Sequence, residues 1–196
     1  AQVTSGLEEY ELDRAARPLM DFVDDLSTWY LRRSRDRFKE GGIATATALS
    51  TTRELLKTFA LMAAPFIPFT AETVYQKVRT TLDPESVHLA EWISLSAVEG
   101  AAKKKHAADT SRIAEMSAVR AVVTLALEAR QKAGIKVRQP LARLKVKNEK
   151  SNIKNNPEIA ELIKDEVNVK EVVFDESLEG EVYLDIEITE ALKREG

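Results

Sequence analysis

The spacing of apolar residues is helical over the first two thirds of the chain. From Glu11 to about Phe38 they recur at intervals of three and four residues, which predicts a long amphipathic helix. Pro18 lies inside this segment, so we expect a kink and a lost hydrogen bond there, within a single helix. Residues 1 to 9 have the character of the end of an earlier helix.

Three further helical patterns follow the first one. They run from Ile43 to Pro65, from Thr70 to about Arg79, and from about Asp109 to Ala133. Residues 82–100 have little periodicity, and residues 103–106 (KKKH) predict an exposed linker. Short connections between most of these helices favour an antiparallel helix bundle.

After Gly134 the period of the apolar residues changes from 3.6 to 2. Leu144 and Val146 alternate with Arg143 and Lys145, which predicts a half-buried strand with a basic outer face. A short helix at 157–167 and strands at 169–174 and 181–188 complete a small α+β unit. We therefore predict a mainly α chain, with a helical domain at residues 1–134 and a small α+β domain at residues 135–196.

The charge of the chain is unevenly distributed. The net charge is only -3, but residues 1–100 carry 11 basic and 15 acidic side chains, a net charge of -4. Residues 101–150 carry 13 basic and 4 acidic side chains (net +9), and residues 151–196 carry 5 and 13 (net -8). A basic middle segment indicates contact with a polyanion, although a solvated surface remains the simpler alternative.

The composition argues against several kinds of chemistry. The chain has no cysteine, so disulfides and thiolate metal sites are excluded, and a reducing compartment suits it. The 7 glycines form no phosphate-binding loop, and His88 and His106 lack the spacing of a zinc site. No apolar run approaches the roughly 20 residues of a membrane span. We expect a soluble cytosolic chain with no metal, no cofactor and no catalytic residues of its own.

An aromatic pair runs directly into a cluster of arginines near the end of the first predicted helix. Trp29 and Tyr30 are followed by four arginines within six residues, which are Arg32, Arg33, Arg35 and Arg37. Guanidinium groups beside aromatic faces suit phosphates and unstacked bases. The four charges also repel one another unless an anion offsets them. We therefore treat Trp29 and the four arginines as candidate binding residues.

A helical wheel at 100° per residue separates these arginines. Arg33 and Arg37 fall in the sector of the apolar stripe, whereas Arg32 and Arg35 point away from it. Two interpretations remain open for the first pair: the helix projects a cationic tip beyond its partners, or both arginines pair with carboxylates internally. For Arg32 and Arg35 the alternative is a solvated face, and for Trp29 it is a place in the core.

A second basic set follows the fourth helix. Alternation through residues 135–138 places Lys136 and Arg138 on one side of an extended segment, and the strand adds Arg143 and Lys145. Cations of this kind contact phosphates without reading sequence. Other members of the set are Arg130, Lys132 and Lys147.

Four sequence blocks, in this order, resemble the class I isoleucyl-tRNA synthetases. They are LSTWYLRRSRDRF (26–38), AAPFIPFTAE (63–72), VHLAEW (87–92) and ARQKAGIKVRQPL (129–141). The resemblance covers essentially the whole chain and corresponds to the C-terminal half of that enzyme. The middle blocks are shared loosely with valyl and leucyl enzymes, whereas the last is most similar to the isoleucyl branch. The family often has asparagine where this chain has Thr28.

The resemblance implies a helical anticodon-binding domain with a small α+β appendage. The full enzyme would use ATP and Mg²⁺ to attach isoleucine to its tRNA, but the HIGH and KMSKS signatures are not in this sequence. The expected partners are the isoleucine tRNA and the rest of the synthetase chain, and we expect a monomer. Trp29 would stack on a base, the arginines would meet the anticodon stem-loop, and Lys136, Arg138, Arg143 and Lys145 would hold the stem. The alternatives are the same module of a valyl or leucyl enzyme, and a non-enzymatic helix bundle that binds proteins.

Overall fold

A computed structural model describes residues 2–93, 96–147 and 156–195. For residues 96–110 the description covers the backbone alone. The chain forms two compact units, residues 1–100 and residues 101–196. A compact unit need not fold independently of the rest of the chain. The boundary at residue 134 therefore stays a prediction.

The secondary structure is mainly helical, with one small sheet near the C-terminus, as the sequence predicted. The helices are α1 (Gln2–Glu8), α2 (Leu12–Asp25), a π-helical segment (Leu26–Leu31), α3 (Gly42–Ala63), α4 (Pro68–Val78), a 3₁₀ turn (Val87–Leu89), α5 (Ser96–Lys132), α6 (Pro157–Val167) and α7 (Glu190–Glu195). The strands are β1 (Leu141–Val146), β2 (Val169–Phe174) and β3 (Val182–Leu184).

The first long helix ends earlier than predicted. It is continuous through Pro18, but α2 passes into the π-helical segment, and residues 34–39 form turns. The hydroxyl of Ser27 donates to the Val23 carbonyl at 2.8 Å, and that of Thr28 donates to the Asp24 carbonyl at 2.7 Å. These carbonyls would otherwise serve only backbone N–H groups, so the competition loosens the helix at this point.

Helix α5 is longer than predicted. It begins at Ser96, so the predicted linker at residues 103–106 lies inside a helix. The segment before Asp109 is rich in alanine and lysine, which favour a helix even where no apolar stripe is present. Intrinsic propensity, rather than periodicity, accounts for this part of α5.

Small side chains allow the helices of the first unit to approach closely. Ala60 and Ala63 of α3 and Ala71 of α4 are fully or almost fully buried and belong to one core cluster. A Cβ atom added at Gly6 would lie 2.8 Å from the Cβ of Ala15, so α1 and α2 tolerate only glycine there. Helix pairs in close contact need such residues because backbone separation is set by side-chain size.

The second unit is built around β1, the central strand of a sheet with the order β2-β1-β3. Strand β1 pairs in parallel with β2 and antiparallel with β3, and Leu144 faces Val172 and Leu184 across these two pairings. Helix α6 and strand β2 occur at the predicted residues, whereas β3 is shorter than the predicted 181–188 and α7 was not predicted. Within the described residues, no helix is long and apolar enough to cross a membrane.

The loop after α4 is held to α3 by an ion pair. Asp83 accepts hydrogen bonds from the backbone N–H and the hydroxyl of Thr80, at 2.7 and 2.8 Å, and from Lys57 Nζ at 3.0 Å. The Thr80 amide, followed by the Lys57 ammonium, lowers the pKa of Asp83 from 3.8 to about 2. A carboxyl group whose pKa is lower in the folded than in the unfolded chain stabilises the fold at pH values above its unfolded pKa. That stabilisation is lost as the pH falls through the folded pKa.

We predict that Asp83→Asn lowers the unfolding temperature of the first unit at pH 7. The difference from the unchanged chain should shrink below about pH 4 and be lost as the pH falls through 2, because Asp83 is then protonated in the unfolded chain and increasingly in the folded one. Tryptophan fluorescence is a suitable probe, since Trp29 and Trp92 both lie in this unit. Asp13→Asn is the control, because its ion pair with Arg17 is exposed and should contribute little at any pH. A difference independent of pH would contradict the assignment.

Candidate nucleic-acid interface

Trp29 and Arg32 form a stacked pair at the π-helical segment. The guanidinium carbon of Arg32 lies 5.9 Å from the centroid of the Trp29 ring, and its Nε donates to the Thr28 carbonyl at 2.8 Å. A cation over an aromatic face is attracted by about 0.5–1 kcal/mol where the pair is exposed. The hydrogen bond and the stacking fix Arg32 beside a half-buried indole ring.

The helical-wheel division of the arginines is wrong, because it assumed 3.6 residues per turn beyond Leu26. The π-helical segment and the turns after it change the phase of the side chains. Ser34, at 3% exposure, is the buried residue of this stretch, while Arg33 and Arg37 are both exposed. The core-facing stripe therefore does not end in arginine.

The turn that carries Arg35 and Arg37 is attached to the start of α3. The hydroxyl of Thr45 donates to the Arg37 carbonyl at 2.7 Å and accepts from the Gly41 amide at 2.8 Å. The Arg35 and Arg37 side chains are exposed and form no ion pair with any residue that the structure describes. For Arg37, this geometry fits the interpretation in which the arginine projects as part of a cationic tip, and not the one in which it pairs internally with a carboxylate.

A shallow cavity of about 510 Å³ opens on the same surface. Leu31 and Phe38 provide apolar walls, and cationic side chains surround them. An apolar surface edged by cations suits an unstacked base and its phosphate. The lining residues are Ser27, Leu31, Arg32, Arg35, Phe38 and Lys39.

Lys136 and Arg138 lie on a turn and not on the extended segment that the sequence predicted. The Gln139 amide donates to the Lys136 carbonyl at 3.0 Å, which closes a four-residue turn. Both cations are exposed, and neither forms an ion pair with a described residue. They remain available to an anion.

Arg143 and Lys145 of β1, in contrast, are paired with carboxylates. Arg143 Nε lies 2.8 Å from Glu171, and Lys145 Nζ lies 3.2 Å from Asp175. The hydroxyl and amide of Ser177, followed by Lys145, lower the pKa of Asp175. A phosphate that binds either cation must therefore compete with a carboxylate of the acidic C-terminal region.

Arg130 serves a structural purpose that its place in the basic set did not suggest. Its side chain is 1% exposed, and its two terminal nitrogens donate to the carbonyls of Lys136, Gln139 and Asn168 at 3.1, 2.9 and 2.7 Å. Burial lowers the pKa of its guanidinium. The signal was in the sequence, because Arg130 continues the buried stripe of α5 formed by Val119, Val123 and Ala126.

Asn168 completes the support of the turn. It caps α6 in the left-handed conformation, with φ 54°, and its side-chain amide donates to the carbonyls of Val137 and Arg138 at 2.9 and 3.1 Å. The carbonyls of four successive residues, 136–139, thus accept hydrogen bonds from two side chains. Neither this turn nor the Trp29 surface belongs to a metal site: the described residues hold no cluster of three or more metal-ligating side chains.

Comparison with known proteins identifies the family of the chain. Residues 1–147 match the family described as the anticodon-binding domain of tRNA ligases. The chain is 41% identical over 181 residues to the isoleucine-tRNA ligase of Thermus thermophilus, with 87% of the chain covered. It is 38% identical over 173 residues to that of Chlamydia muridarum and 35% identical over 184 residues to that of Chlamydia pneumoniae, with 86% and 93% covered.

The family match extends over more than half of the chain, through α5 and β1. The chain therefore belongs to the anticodon-binding domains of tRNA ligases. It spans only 16 to 17% of the length of these three relatives.

We predict that Arg130→Met destabilises the second unit by about 2 kcal/mol, because three carbonyls lose a charged donor while the aliphatic packing is kept. Chemical unfolding followed by circular dichroism measures this loss. Arg138→Ala is the matched control, since an exposed arginine should change stability by less than about 0.5 kcal/mol. Equal stability of the two variants would contradict the structural role of Arg130.

Proposed function

We propose that the chain is the tRNA-binding module of an isoleucine-tRNA ligase and that it holds the anticodon stem-loop of the isoleucine tRNA. The family match and the names of the three relatives support this proposal. The relatives also favour the isoleucine enzyme over the valyl and leucyl alternatives. The binding surface that we assign is the segment from Trp29 to Lys39, with the turn 136–139 as a second contact.

The observation that carries the proposal is the Trp29–Arg32 stack beside exposed Arg35 and Arg37. Proteins read RNA sequence mainly in loops, where unpaired bases stack on aromatic rings and guanidinium planes. A base could lie against the cavity walls of Leu31 and Phe38, while the arginines meet the phosphates on either side. This arrangement binds and orients an RNA loop and requires no bond-making chemistry.

The complete protein, in this proposal, attaches isoleucine to its tRNA with ATP and Mg²⁺ and acts in the cytoplasm as a monomer. ATP would provide the energy of that reaction at a site outside this chain, because the HIGH and KMSKS signatures of the family are not in this sequence. The residues of this chain contribute binding energy and orientation. They position the tRNA without taking part in aminoacyl transfer.

In the protein-binding alternative, the basic strip docks on an acidic partner or on the acidic region of this chain, residues 151–196, which would then compete with RNA. The pairs Arg143–Glu171 and Lys145–Asp175 give that idea some support. However, Glu171 lies on β2, and β2 is paired with β1 along its length, so the acidic region is part of the fold. Within the second basic set we therefore assign the RNA contacts to Lys136 and Arg138, and expect less of Arg143 and Lys145.

We predict that Arg37→Ala and Arg35→Ala each weaken binding of the isoleucine tRNA transcript roughly fivefold at moderate salt. Each variant should also reduce the slope of log affinity against log salt by about one, because one phosphate contact is lost. Arg17→Ala is the control, since it removes one charge from α2 that is already paired with Asp13. Fluorescence anisotropy across a salt series measures both quantities.

A transcript with a swapped anticodon tests the specificity part of the proposal. The unchanged chain should prefer the isoleucine anticodon, and that preference should decrease when either arginine is replaced. Equal affinity for both transcripts at every salt concentration would contradict anticodon recognition. Equal effects of the Arg17 and Arg37 substitutions would contradict the assigned surface.

A further inference from the structure

We propose that the turn 136–139 is a cradle for one backbone phosphate of the tRNA, in which main-chain N–H groups act together with two cationic side chains. The donors are the amides of Val137 and Arg138, and the charges are those of Lys136 and Arg138. The proposal rests on the proposed tRNA binding. It adds the chemical group that the turn would bind, a phosphate of the tRNA backbone.

The carbonyl groups of the turn all accept hydrogen bonds from side chains of the second unit. Arg130 binds the carbonyls of Lys136 and Gln139, and Asn168 binds those of Val137 and Arg138. Two side chains thus fix four successive carbonyls. Arg130 is almost fully buried, so the Lys136 and Gln139 carbonyls are held against the protein, while Asn168 holds the other two nearer the surface.

The N–H groups therefore face outward. In a planar trans peptide the N–H points opposite to the carbonyl of the preceding residue. The amide of Val137 thus points away from the Lys136 carbonyl, and the amide of Arg138 points away from the Val137 carbonyl. No described group accepts a hydrogen bond from either amide. Adjacent outward N–H groups form a concavity that favours an anion.

The side-chain charges around the two amides are positive, as an anion site requires. The Lys136 and Arg138 side chains are exposed and form no ion pair with a described residue, whereas the cations of β1 are held by Glu171 and Asp175. The buried guanidinium of Arg130 adds a fixed positive charge behind the turn. An anion at the amides would therefore experience attraction from three sides.

The cradle is also organised before the ligand arrives. Hydrogen bonds from Arg130 and Asn168 hold the turn in one conformation, so binding does not require the backbone to be ordered. Arg130 and Asn168 act here as positioning residues. They are placed behind the cradle and need not touch the phosphate.

Val137→Pro is the sharpest test, because it removes one outward N–H and leaves both charges in place. Val137 is the second residue of the turn, where proline is favoured, and its φ is not positive. Val137→Ala is the matched control, since it shortens the same half-exposed side chain and keeps the N–H. Both variants should keep the unfolding temperature of the unchanged chain to within a few degrees.

The salt dependence distinguishes the amide from the cations. We expect Val137→Pro to weaken binding of the isoleucine tRNA transcript roughly tenfold relative to Val137→Ala, with an unchanged salt slope, because a neutral donor releases no counterion. Lys136→Ala should instead reduce the salt slope by about one. Equal affinity of the proline and alanine variants would overturn the cradle while leaving tRNA binding intact.

Amide resonances separate an RNA phosphate from a free anion. On titration with tRNA, the Val137 and Arg138 amides should shift together, whereas inorganic phosphate at the same concentration should leave them nearly unchanged. Saturation by inorganic phosphate alone would make the turn a small-anion site and overturn the RNA assignment. A complete lack of tRNA binding by the unchanged chain would overturn the proposed function, and the cradle with it.

Discussion

The buried charge of Arg130 is the constraint on which the second unit depends. A guanidinium removed from water must be compensated by acceptors, and here backbone carbonyls provide that compensation. The need to bring these carbonyls together fixes the end of α5, the turn 136–139 and the junction of α6 with β2. Asn168 adopts a left-handed conformation at that junction, where its carbonyl reaches Arg130 and its side chain reaches the turn. One side chain thus joins three parts of the unit.

A different constraint shapes the first unit. The hydroxyls of Ser27 and Thr28 compete for carbonyls of the preceding helical turn, and the chain passes from α-helix to π-helix at this point. The change of phase keeps Ser34 inside and leaves the arginines outside, with Arg32 stacked on Trp29. In the first unit a departure from regular helix geometry produces the surface that we assign to RNA, and in the second unit a turn held by Arg130 and Asn168 does so.

The sequence predicted those elements whose apolar residues keep a single period. The alternation around Leu144 identified β1, and the 3.6-residue period identified α3 and α6. The start of α5 was missed because alanine and lysine stabilise a helix without an apolar stripe. The burial of Arg130 was missed because this residue was grouped with the basic residues, although its spacing from Val123 and Ala126 continues the buried stripe of α5. Ion pairs such as Arg143–Glu171 join residues that are distant along the chain, and no local pattern predicts them.

The central claim is that the surface around Trp29 contacts the anticodon loop, and the two indole N–H resonances test it most directly. Trp92 provides an internal control, because its indole donates to Thr4 at 3.2 Å and lies outside the assigned surface. On titration with an anticodon stem-loop of the isoleucine tRNA, the Trp29 resonance should shift and the Trp92 resonance should not. A stem-loop with a swapped anticodon should shift Trp29 less at the same concentration. An unchanged Trp29 resonance at saturation, or equal shifts with both stem-loops, would contradict the account.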